Sequence, residues 1–372
     1  MEEYDVAVVG AGPAGSSAAR AAAAAGARVV VLDRAAFPRY KTCGGGLIGP
    51  SLAALPGRPP TRASITRVSL SLAGGRRRTR RSGEPCLQMV TRAELDTWLL
   101  SCAADAGAEV RVPCRVLSVS DDIVETDAGP LRAGVVIAAD GTSSRLAREV
   151  GVRLSRVDLG LELELDAGTS ATEWVDRVHL DWGPIPGSYG WVFPKGDTLT
   201  VGVIAARGAG DATRDYLRSL VSWLGLERHR VVHDSGHLTR CRTTDSPLGR
   251  GRVLLVGDAA GLLEPWTREG ISFATRSGAL AGAVAAAGPS GAVERYRAAL
   301  SGELLPEMAA GERCLRAFEA RPSAFHELIG STPVGWEQFR RIVSGETTLA
   351  RAVRRAPVRA GLALLSLGST AG

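Results

Sequence analysis

A strand, a glycine-rich turn, a helix and a second strand open the sequence, and this unit constrains the fold more than any other segment. Residues 5–9 are a short apolar run that predicts a buried strand. An alanine-rich helix is expected up to Gly26, and residues 28–32 predict a second strand that ends at Asp33. The turn carries three glycines at G-x-G-x-x-G spacing: Gly10, Gly12 and Gly15. The order predicts a Rossmann-like α/β fold.

Each position in this unit has a physical role. Gly10 permits the tight turn, Gly12 lets the backbone approach a pyrophosphate, and Gly15 lets the helix pack closely on the sheet. The helix N-terminus attracts phosphate, and Asp33 can accept a hydrogen bond from a ribose hydroxyl. A glycine-rich turn in an ordinary α/β fold would not need an acid at that distance, so we predict a dinucleotide site.

Composition limits the class of protein. A chain of 372 residues with 45% hydrophobic and 23% charged residues is typical of a soluble globular protein, here expected to have two interlocked domains. No apolar run reaches the roughly 18–20 residues that span a bilayer. The acidic N-terminus lacks the basic start of a signal peptide, so a cytoplasmic location is expected. The six cysteines form no C-x-x-C pair and no zinc spacing with histidine, so neither a metal site nor a disulfide framework is expected.

The densest basic run, residues 76–81, has five arginines and one threonine. A nucleic-acid-binding arm would interleave aromatic side chains, and none are present, so no nucleic-acid partner is expected. We interpret the run as a solvated hairpin arm, with peripheral attraction to an anionic membrane surface as the alternative.

Two further strand ends indicate which dinucleotide is bound. Residues 135–139 and 252–256 both predict apolar strands, and each runs into an aspartate–glycine pair. Alone, such a pair is only a turn. Asp258, however, could hold the ribityl hydroxyls of a flavin, and backbone N–H groups near Gly270 could face the flavin pyrimidine. In this order the stretches resemble the FAD-binding superfamily that includes the p-hydroxybenzoate hydroxylase type.

A narrower resemblance comes from residues 41–45, Lys-Thr-Cys-Gly-Gly, and residues 189–195, Tyr-Gly-Trp-Val-Phe-Pro-Lys. Both are similar to signatures of the geranylgeranyl reductase family, and the resemblance extends over about residues 4–290. The resemblance implies contacts to FAD from Gly15, Asp33, Arg34, Cys43, Gly44, Gly45, Arg92, Val116, Asp258, Gly270 and Ile271.

Arg92 can also be placed from its own surroundings. Thr91 and Glu94 form a capping box, and apolar residues at 95, 98, 99 and 102 give a helical stripe. Arg92 therefore lies in a first helical turn, from which it could reach phosphate or flavin. The spacing alone is equally compatible with a surface arginine.

Alternating and β-branched runs predict a second, mostly antiparallel sheet that is inserted between parts of the FAD domain. Tyr189, Trp191 and Phe193 have the same parity in one strand and should point to one face. They form either a packed aromatic core or an apolar wall for a substrate, and the resemblance favours the wall. Arg268 replaces a family glycine and could narrow the pocket or bind an anionic substrate group, while Ile204 replaces the second glycine of a family motif.

These patterns divide the chain into three regions. The expected FAD-binding domain comprises 1–65, 84–152 and 245–290, the substrate-binding sheet 66–83 and 153–244, and a C-terminal helical region 291–372. Residues 360–367 are apolar but short; a terminal packing helix or frayed tail is preferred to a peripheral membrane anchor.

Cys43 has three interpretations: an inert wall against the flavin, a proton donor or relay, or a covalent nucleophile. The sequence places no histidine near it, so the nucleophile is least favoured. The three glycines that follow favour a loop that crosses the flavin ring closely, which makes the wall slightly preferred to the relay.

The resemblance implies an FAD-dependent reductase of carbon–carbon double bonds in an isoprenoid or other apolar substrate. Hydride would come from flavin N5, and the candidate catalytic residues are Cys43, Tyr189 and Trp191. With no second G-x-G-x-x-G, the electron donor is expected to be NAD(P)H bound transiently or a small redox protein. The alternatives are a flavin-dependent monooxygenase or halogenase, and a flavin-binding sensor without turnover.

Overall fold

The computed structural model describes residues 1–366, which form eighteen β-strands and twelve α-helices. The strands are β1 (Glu2–Val9), β2 (Val29–Leu32), β3 (Gly46–Leu47), β4 (Ala63–Ile65), β5 (Arg67–Leu72), β6 (Arg78–Arg81), β7 (Leu87–Met89), β8 (Glu109–Arg111), β9 (Val116–Ser120), β10 (Ile123–Thr126), β11 (Leu131–Ala138), β12 (Leu154–Asp166), β13 (Arg177–Trp182), β14 (Tyr189–Pro194), β15 (Thr198–Ala206), β16 (Val231–Arg242), β17 (Gly249–Arg250) and β18 (Val253–Leu255). The helices are α1 (Pro13–Ala24), α2 (Gly49–Ala54), α3 (Arg92–Asp105), α4 (Arg145–Val150), α5 (Ala171–Trp174), α6 (Gly210–Trp223), α7 (Ile271–Ala286), α8 (Ala292–Ala320), α9 (Pro322–Ser331), α10 (Pro333–Val343), α11 (Leu349–Arg354) and α12 (Ala356–Ser366).

An eight-stranded sheet forms the Rossmann-like part and confirms the predicted fold class. Its main order is β17-β18-β11-β1-β2-β8, with parallel pairing from β18 to β8, and β10 and β9 extend it from β11. The central strand β1 is buried from Val6 to Val9, as its continuous apolar run predicts. Helices α1 and α7 cross each other so closely that a Cβ at Gly278 would lie 2.0 Å from the Ala14 carbonyl oxygen.

A seven-stranded sheet, in the order β16-β12-β15-β14-β13-β5-β6, is the predicted second sheet. Its pairings are antiparallel except for β13 with β5. One face packs on α6, where Val201, Val203 and Leu220 share a core with Tyr216. The opposite face is turned toward the first sheet and carries the aromatic triplet.

The C-terminal helices cover the far end of this second sheet. Phe318 and Phe325 pack with Trp182 and Leu70 in a single buried cluster. In α12, Leu362 and Leu365 pack against the same cluster, which favours the terminal packing helix over the anchor for this segment. Leu367, the last residue of the expected apolar segment, lies outside the described residues.

The arginine run forms the turn and outer strand of the β5–β6 hairpin. Arg78 binds Glu327 and Arg80 donates to the Gly330 carbonyl, so two of the arginines dock on α9. The other three arginines are exposed, as expected for a solvated arm: Arg76, Arg77 and Arg81.

A third sheet has three strands in the order β3-β7-β4, and two of them, β4 and β7, flank the β5–β6 hairpin along the chain. The domain boundaries given above stay predictions. Among residues 1–366, the helices lack the combination of length and apolar character required for a membrane span.

Candidate active site

A cavity of about 890 Å³ is lined by residues from both large sheets and from the C-terminal helices. All four predicted substrate residues lie on its wall: Tyr189, Trp191, Phe193 and Arg268. So do twelve of the thirteen predicted cofactor residues: Gly10, Gly12, Asp33, Arg34, Cys43, Gly44, Gly45, Arg92, Val116, Asp258, Gly270 and Ile271. The exception, Gly15, lies behind the wall, where a Cβ would be 1.8 Å from the Gly10 carbonyl oxygen. This contact fits the helix–strand packing role that the spacing predicts.

The glycine turn and Asp33 form a compact cradle at one end of the cavity. Gly10 has φ +103°, and a Cβ there would lie 2.4 Å from the Ala139 carbonyl oxygen. The Asp33 carboxylate accepts hydrogen bonds from the backbone N–H groups of Ala11 (2.8 Å) and Ala35 (2.9 Å), which fix it across the turn. Within residues 1–366 no side chain caps α1, and its first turn carries no acid. Its N-terminal N–H groups therefore suit a diphosphate, and the cradle fits FAD.

Asp258 lies in a second polar group, at the carboxyl end of β18. The His237 Nε2 atom is 3.8 Å from Asp258 Oδ2, and Lys41 Nζ is 3.0 Å from the same nitrogen. Although burial opposes ionisation, His237, Lys41 and Arg92 keep the pKa of Asp258 below its ordinary value. At the end of β11, burial raises the pKa of Asp140, whose buried Oδ1 has no hydrogen-bond partner among the described residues. Both carboxyl groups therefore suit ligand hydroxyls.

Arg92 belongs to the cavity wall rather than to the surface. Thr91 caps α3, and the Arg92 guanidinium makes two bonds to Asp96, Nε to Oδ1 at 2.7 Å and Nη2 to Oδ2 at 2.8 Å. Asp96 also binds Arg39 at 3.3 Å and is completely buried. The sequence analysis missed Asp96. Its position four residues after Arg92, on the apolar face of the helix, could have indicated that the two side chains pair.

The Cys43–Gly45 loop is held from both sides. The Cys43 N–H donates to Glu162 Oε1 (3.2 Å), and Lys195 Nζ donates to the Cys43 carbonyl oxygen (2.9 Å). Gly45 has φ +71°, and a Cβ there would lie 2.2 Å from the Val90 carbonyl oxygen. A Cβ at Gly44 would be 3.0 Å from the Phe193 ring. The loop thus needs its glycines for contacts within the protein, and Glu162 and Lys195 are functional candidates that the sequence analysis missed.

The aromatic triplet forms one continuous wall. Ring centroids are 5.8 Å apart for Tyr189 and Trp191 and 6.3 Å apart for Trp191 and Phe193, which confirms the orientation predicted from their parity. The Trp191 ring lies over Gly202, where a Cβ would be 2.1 Å from ring atom Cζ2. Ile204 lines the cavity opposite Tyr189 in the β14–β15 pairing, so the departure from the family motif adds a side chain to this wall.

The Arg268 guanidinium group hydrogen-bonds to neighbouring residues of the protein. Nε donates to Asp158 (3.1 Å), Nη2 to the Gly187 carbonyl (3.0 Å) and Nη1 to the Trp266 carbonyl (2.6 Å). The side chain is 2% exposed, and its φ of +56° is left-handed. These contacts tie the loop before α7 to β12, which favours the narrowing of the pocket over the binding of an anionic substrate group.

The C-terminal helices contribute an apolar section of the wall that the sequence analysis did not assign to the site. Its members come from α8, α10 and the start of α11: Phe318, Phe339, Ile342, Val343 and Leu349. Apolar residues at helical spacing were visible in the sequence, but spacing does not tell which face of a helix meets a cavity.

Comparisons with known proteins agree with this geometry. The model of the FAD dependent oxidoreductase family matches residues 5–95. Digeranylgeranylglycerophospholipid reductase 1 of Methanopyrus kandleri is 34% identical over 312 residues, which cover 76% of this chain and 80% of that protein. Menaquinone reductase of Mycolicibacterium smegmatis is 32% identical over 308 residues, which cover 74% of this chain and 75% of that protein.

The fold is also found among solved structures. A geranylgeranyl bacteriochlorophyll reductase-like protein from Thermoplasma acidophilum has a TM-score of 0.78 and 22% sequence identity, and the match covers 95% of this chain and 99% of that chain. With the cradle, the Cys43–Gly45 loop and the relatives in agreement, the chain belongs to the geranylgeranyl reductase family of FAD-dependent oxidoreductases.

Proposed function

We propose that this protein reduces carbon–carbon double bonds in an isoprenoid or other apolar substrate. The observation that supports this most directly is the composition of the wall of the 890 Å³ cavity. Its dinucleotide side carries Asp33 and Asp258, and its opposite side carries the aromatic triplet and the apolar C-terminal section. Such a cavity can bring an uncharged chain next to a flavin without water between them.

The residues of the cradle would hold FAD. Its diphosphate would meet the N-terminus of α1, a ribose hydroxyl would bind Asp33, and the ribityl chain would bind Asp258. The flavin pyrimidine would face the backbone at Gly270 and Ile271, where α7 begins. When bound and reduced, FAD supplies a hydride to one carbon of the double bond.

The protein itself would position the substrate and exclude water. An isolated alkene is not polarised, so orientation of the substrate and exclusion of water must supply much of the rate acceleration. Trp191 and Phe193 offer flat apolar surfaces for this, and Cys43, Tyr189 or a water remain candidates for the proton. Burial raises the pKa of Tyr189, and its hydroxyl donates to the Thr267 carbonyl, so its proton is already engaged.

The natural substrate and partners are proposed more broadly. The names of the two curated relatives denote molecules with isoprenoid chains, a glycerophospholipid and menaquinone, and either class is compatible with the apolar wall.

We propose NAD(P)H or a small redox protein as electron donor. Leu328 is an exposed hydrophobic residue on α9, the helix that Arg78 and Arg80 of the arginine arm contact, and this surface supports peripheral contact with an anionic membrane.

Anaerobic mixing of the reduced enzyme with candidate substrates tests the function. Prenyl diphosphates, prenylated quinones, isoprenoid glycerolipids and terpenoid alcohols should be compared. The expected result is prompt flavin reoxidation and a product with two additional hydrogens for each bond reduced. Reoxidation only when oxygen is admitted, with a substrate-dependent oxygenated or halogenated product, would instead establish a monooxygenase or halogenase. A flavin that no substrate or donor turns over would indicate a sensor.

A further inference from the structure

A buried glutamate lies on the cavity face of the second sheet. Strand β12 alternates leucine and glutamate, and Glu162 is only 1% exposed. Glu162 pairs with Gly202 in β15, and Gly202 pairs with Trp191 in β14. Residues paired in this way point to the same face of an antiparallel sheet. The Glu162 carboxyl group therefore faces the same cavity as the Trp191 ring.

One oxygen of this carboxyl group accepts a hydrogen bond and the other does not. Glu162 Oε1 accepts the N–H of Cys43, which ties it to the loop that carries the candidate catalytic cysteine. Glu162 Oε2 is buried and has no hydrogen-bond partner among residues 1–366, and the same is true of Trp191 Nε1. An unpaired oxygen on a cavity wall is a place for a ligand, a water or a proton.

The surroundings of Glu162 keep part of its population in the neutral, proton-carrying form near neutral pH. Burial raises its pKa to about 7, against the opposing effects of Lys195, which directly follows β14, and of the Cys43 N–H. Glu164 on the same strand also raises the pKa, and Lys41 on the loop before Cys43 lowers it. Such a value lies close to the optimum for proton transfer near neutral pH.

We propose that the Glu162 carboxyl group supplies the proton for double-bond reduction. The inference rests on the proposed reductase function, in which reduced flavin provides the hydride to one alkene carbon. The proton leaves Glu162 Oε2 for the other carbon, directly or through one water. The alkene π electron pair forms the C–H bond to this proton, and the hydride brings the electron pair of the other C–H bond. Glu162 is left as a carboxylate, and a proton from solvent restores it before the next turnover.

A titration without turnover provides the first test. In protein labelled with ¹³C at the glutamate carboxyl groups, two residues should titrate near pH 7, because burial raises the pKa of Glu162 and of Glu269 to about 7. Glu162→Gln should remove one of these signals and Glu269→Gln the other. A Glu162→Gln protein that keeps both signals overturns the assignment of a proton to Glu162.

Single-turnover kinetics provide the second test, with Glu164→Gln as the matched control. Glu164 lies two residues away on the same strand, is 17% exposed at its side chain, and contacts Lys195 at 3.6 Å. With FAD bound and reduced, wild-type reoxidation by a prenyl substrate should slow as pH rises through about 7, because only protonated Glu162 donates. Glu162→Gln should be slower by about 100-fold and lose this pH dependence. Glu164→Gln should keep the wild-type rate at low pH and the same slowing as pH rises, with the profile displaced to lower pH because Glu164 no longer raises the pKa of Glu162.

The outcomes separate the two proposals. If wild-type enzyme reacts with a prenyl substrate and Glu162→Gln reacts equally fast, or Glu164→Gln is equally slow, the proton-source role is wrong and the reductase function stands. If wild-type enzyme reacts with no such substrate, both proposals fail. If Glu162→Gln does not retain flavin, the wild-type pH profile decides, and a rate that is constant across neutral pH overturns the role.

Discussion

Replacement of Gly202 by alanine tests the aromatic wall most sharply. A Cβ at this position would lie 2.1 Å from Cζ2 of Trp191, 2.5 Å from Cε2 and 2.7 Å from Cη2. Carbon atoms pack best at about 3.5 Å or more, so the ring must retreat by about 1.4 Å or change its rotamer. Overpacking of this kind costs about 1–3 kcal/mol, offset by about 0.4–1 kcal/mol from the stiffer unfolded chain.

These magnitudes give measurable effects. At about 2.1 cal/mol/K for each residue, the 372-residue chain should lose about 1–3 °C in Tm for a net loss of 1–2 kcal/mol. Displacement of Trp191 by about 1 Å should also lower kcat/KM for an apolar substrate by up to about 100-fold. Calorimetry of the FAD-loaded protein and steady-state kinetics measure the two effects.

Gly160→Ala is the matched control, because Gly160 also lines the cavity. Its Cβ would meet the His237 carbonyl oxygen at 3.5 Å and Ile204 Cδ1 at 3.9 Å, which are ordinary contacts. This variant should keep the wild-type Tm or gain slightly, and keep its kcat/KM. Equal behaviour of the Gly202→Ala and Gly160→Ala proteins would refute the tight contact between Trp191 and the strand beneath it.

Three further substitutions probe the cofactor side, the wall and the loop before α7. Asp258→Ala should lose most bound flavin, and full occupancy measured by absorbance would contradict its assignment. Cys43→Ala should keep FAD, and an unchanged rate of substrate reduction would exclude the relay while leaving the wall. Trp191→Ala should raise KM more for long apolar substrates than for short ones; equal changes would argue against a chain-binding wall. Arg268→Met leaves the buried Asp158 with fewer cationic partners and should cost up to about 3–5 kcal/mol in urea unfolding; an unchanged midpoint would show that the ion pair contributes nothing.

Much of the fold could be predicted because the sequence patterns that indicate it are local. The glycine spacing and Asp33 define the β1–α1–β2 unit, alternation defines β12, and aromatic and β-branched runs define β14 and β15. The strand order of the second sheet, with β13 parallel to β5, could not be predicted, because pairing joins segments about a hundred residues apart. Nothing in a single sequence specifies such contacts.

The site was predictable where a residue belongs to a motif, and it was missed where a residue acts through another. Glu162 appears in the sequence as the polar half of an alternating strand, a pattern that normally faces solvent. In the structure this half faces the cavity and holds Cys43. Asp96, which binds Arg92, was missed because it lies on the apolar face of its helix. Lys195 was missed because Cys43, whose carbonyl oxygen it binds, is distant along the chain.

Reconstitution with FAD shows whether the cavity between the cradle and the aromatic wall holds the flavin. The purified chain should be incubated with excess FAD, passed through a desalting column and measured for flavin per chain, with quenching of Trp191 fluorescence followed by comparison with Trp191→Phe. We expect one retained FAD per chain and a loss of the Trp191 contribution to emission. A chain that stays colourless after this treatment, although correctly folded by circular dichroism, would contradict it.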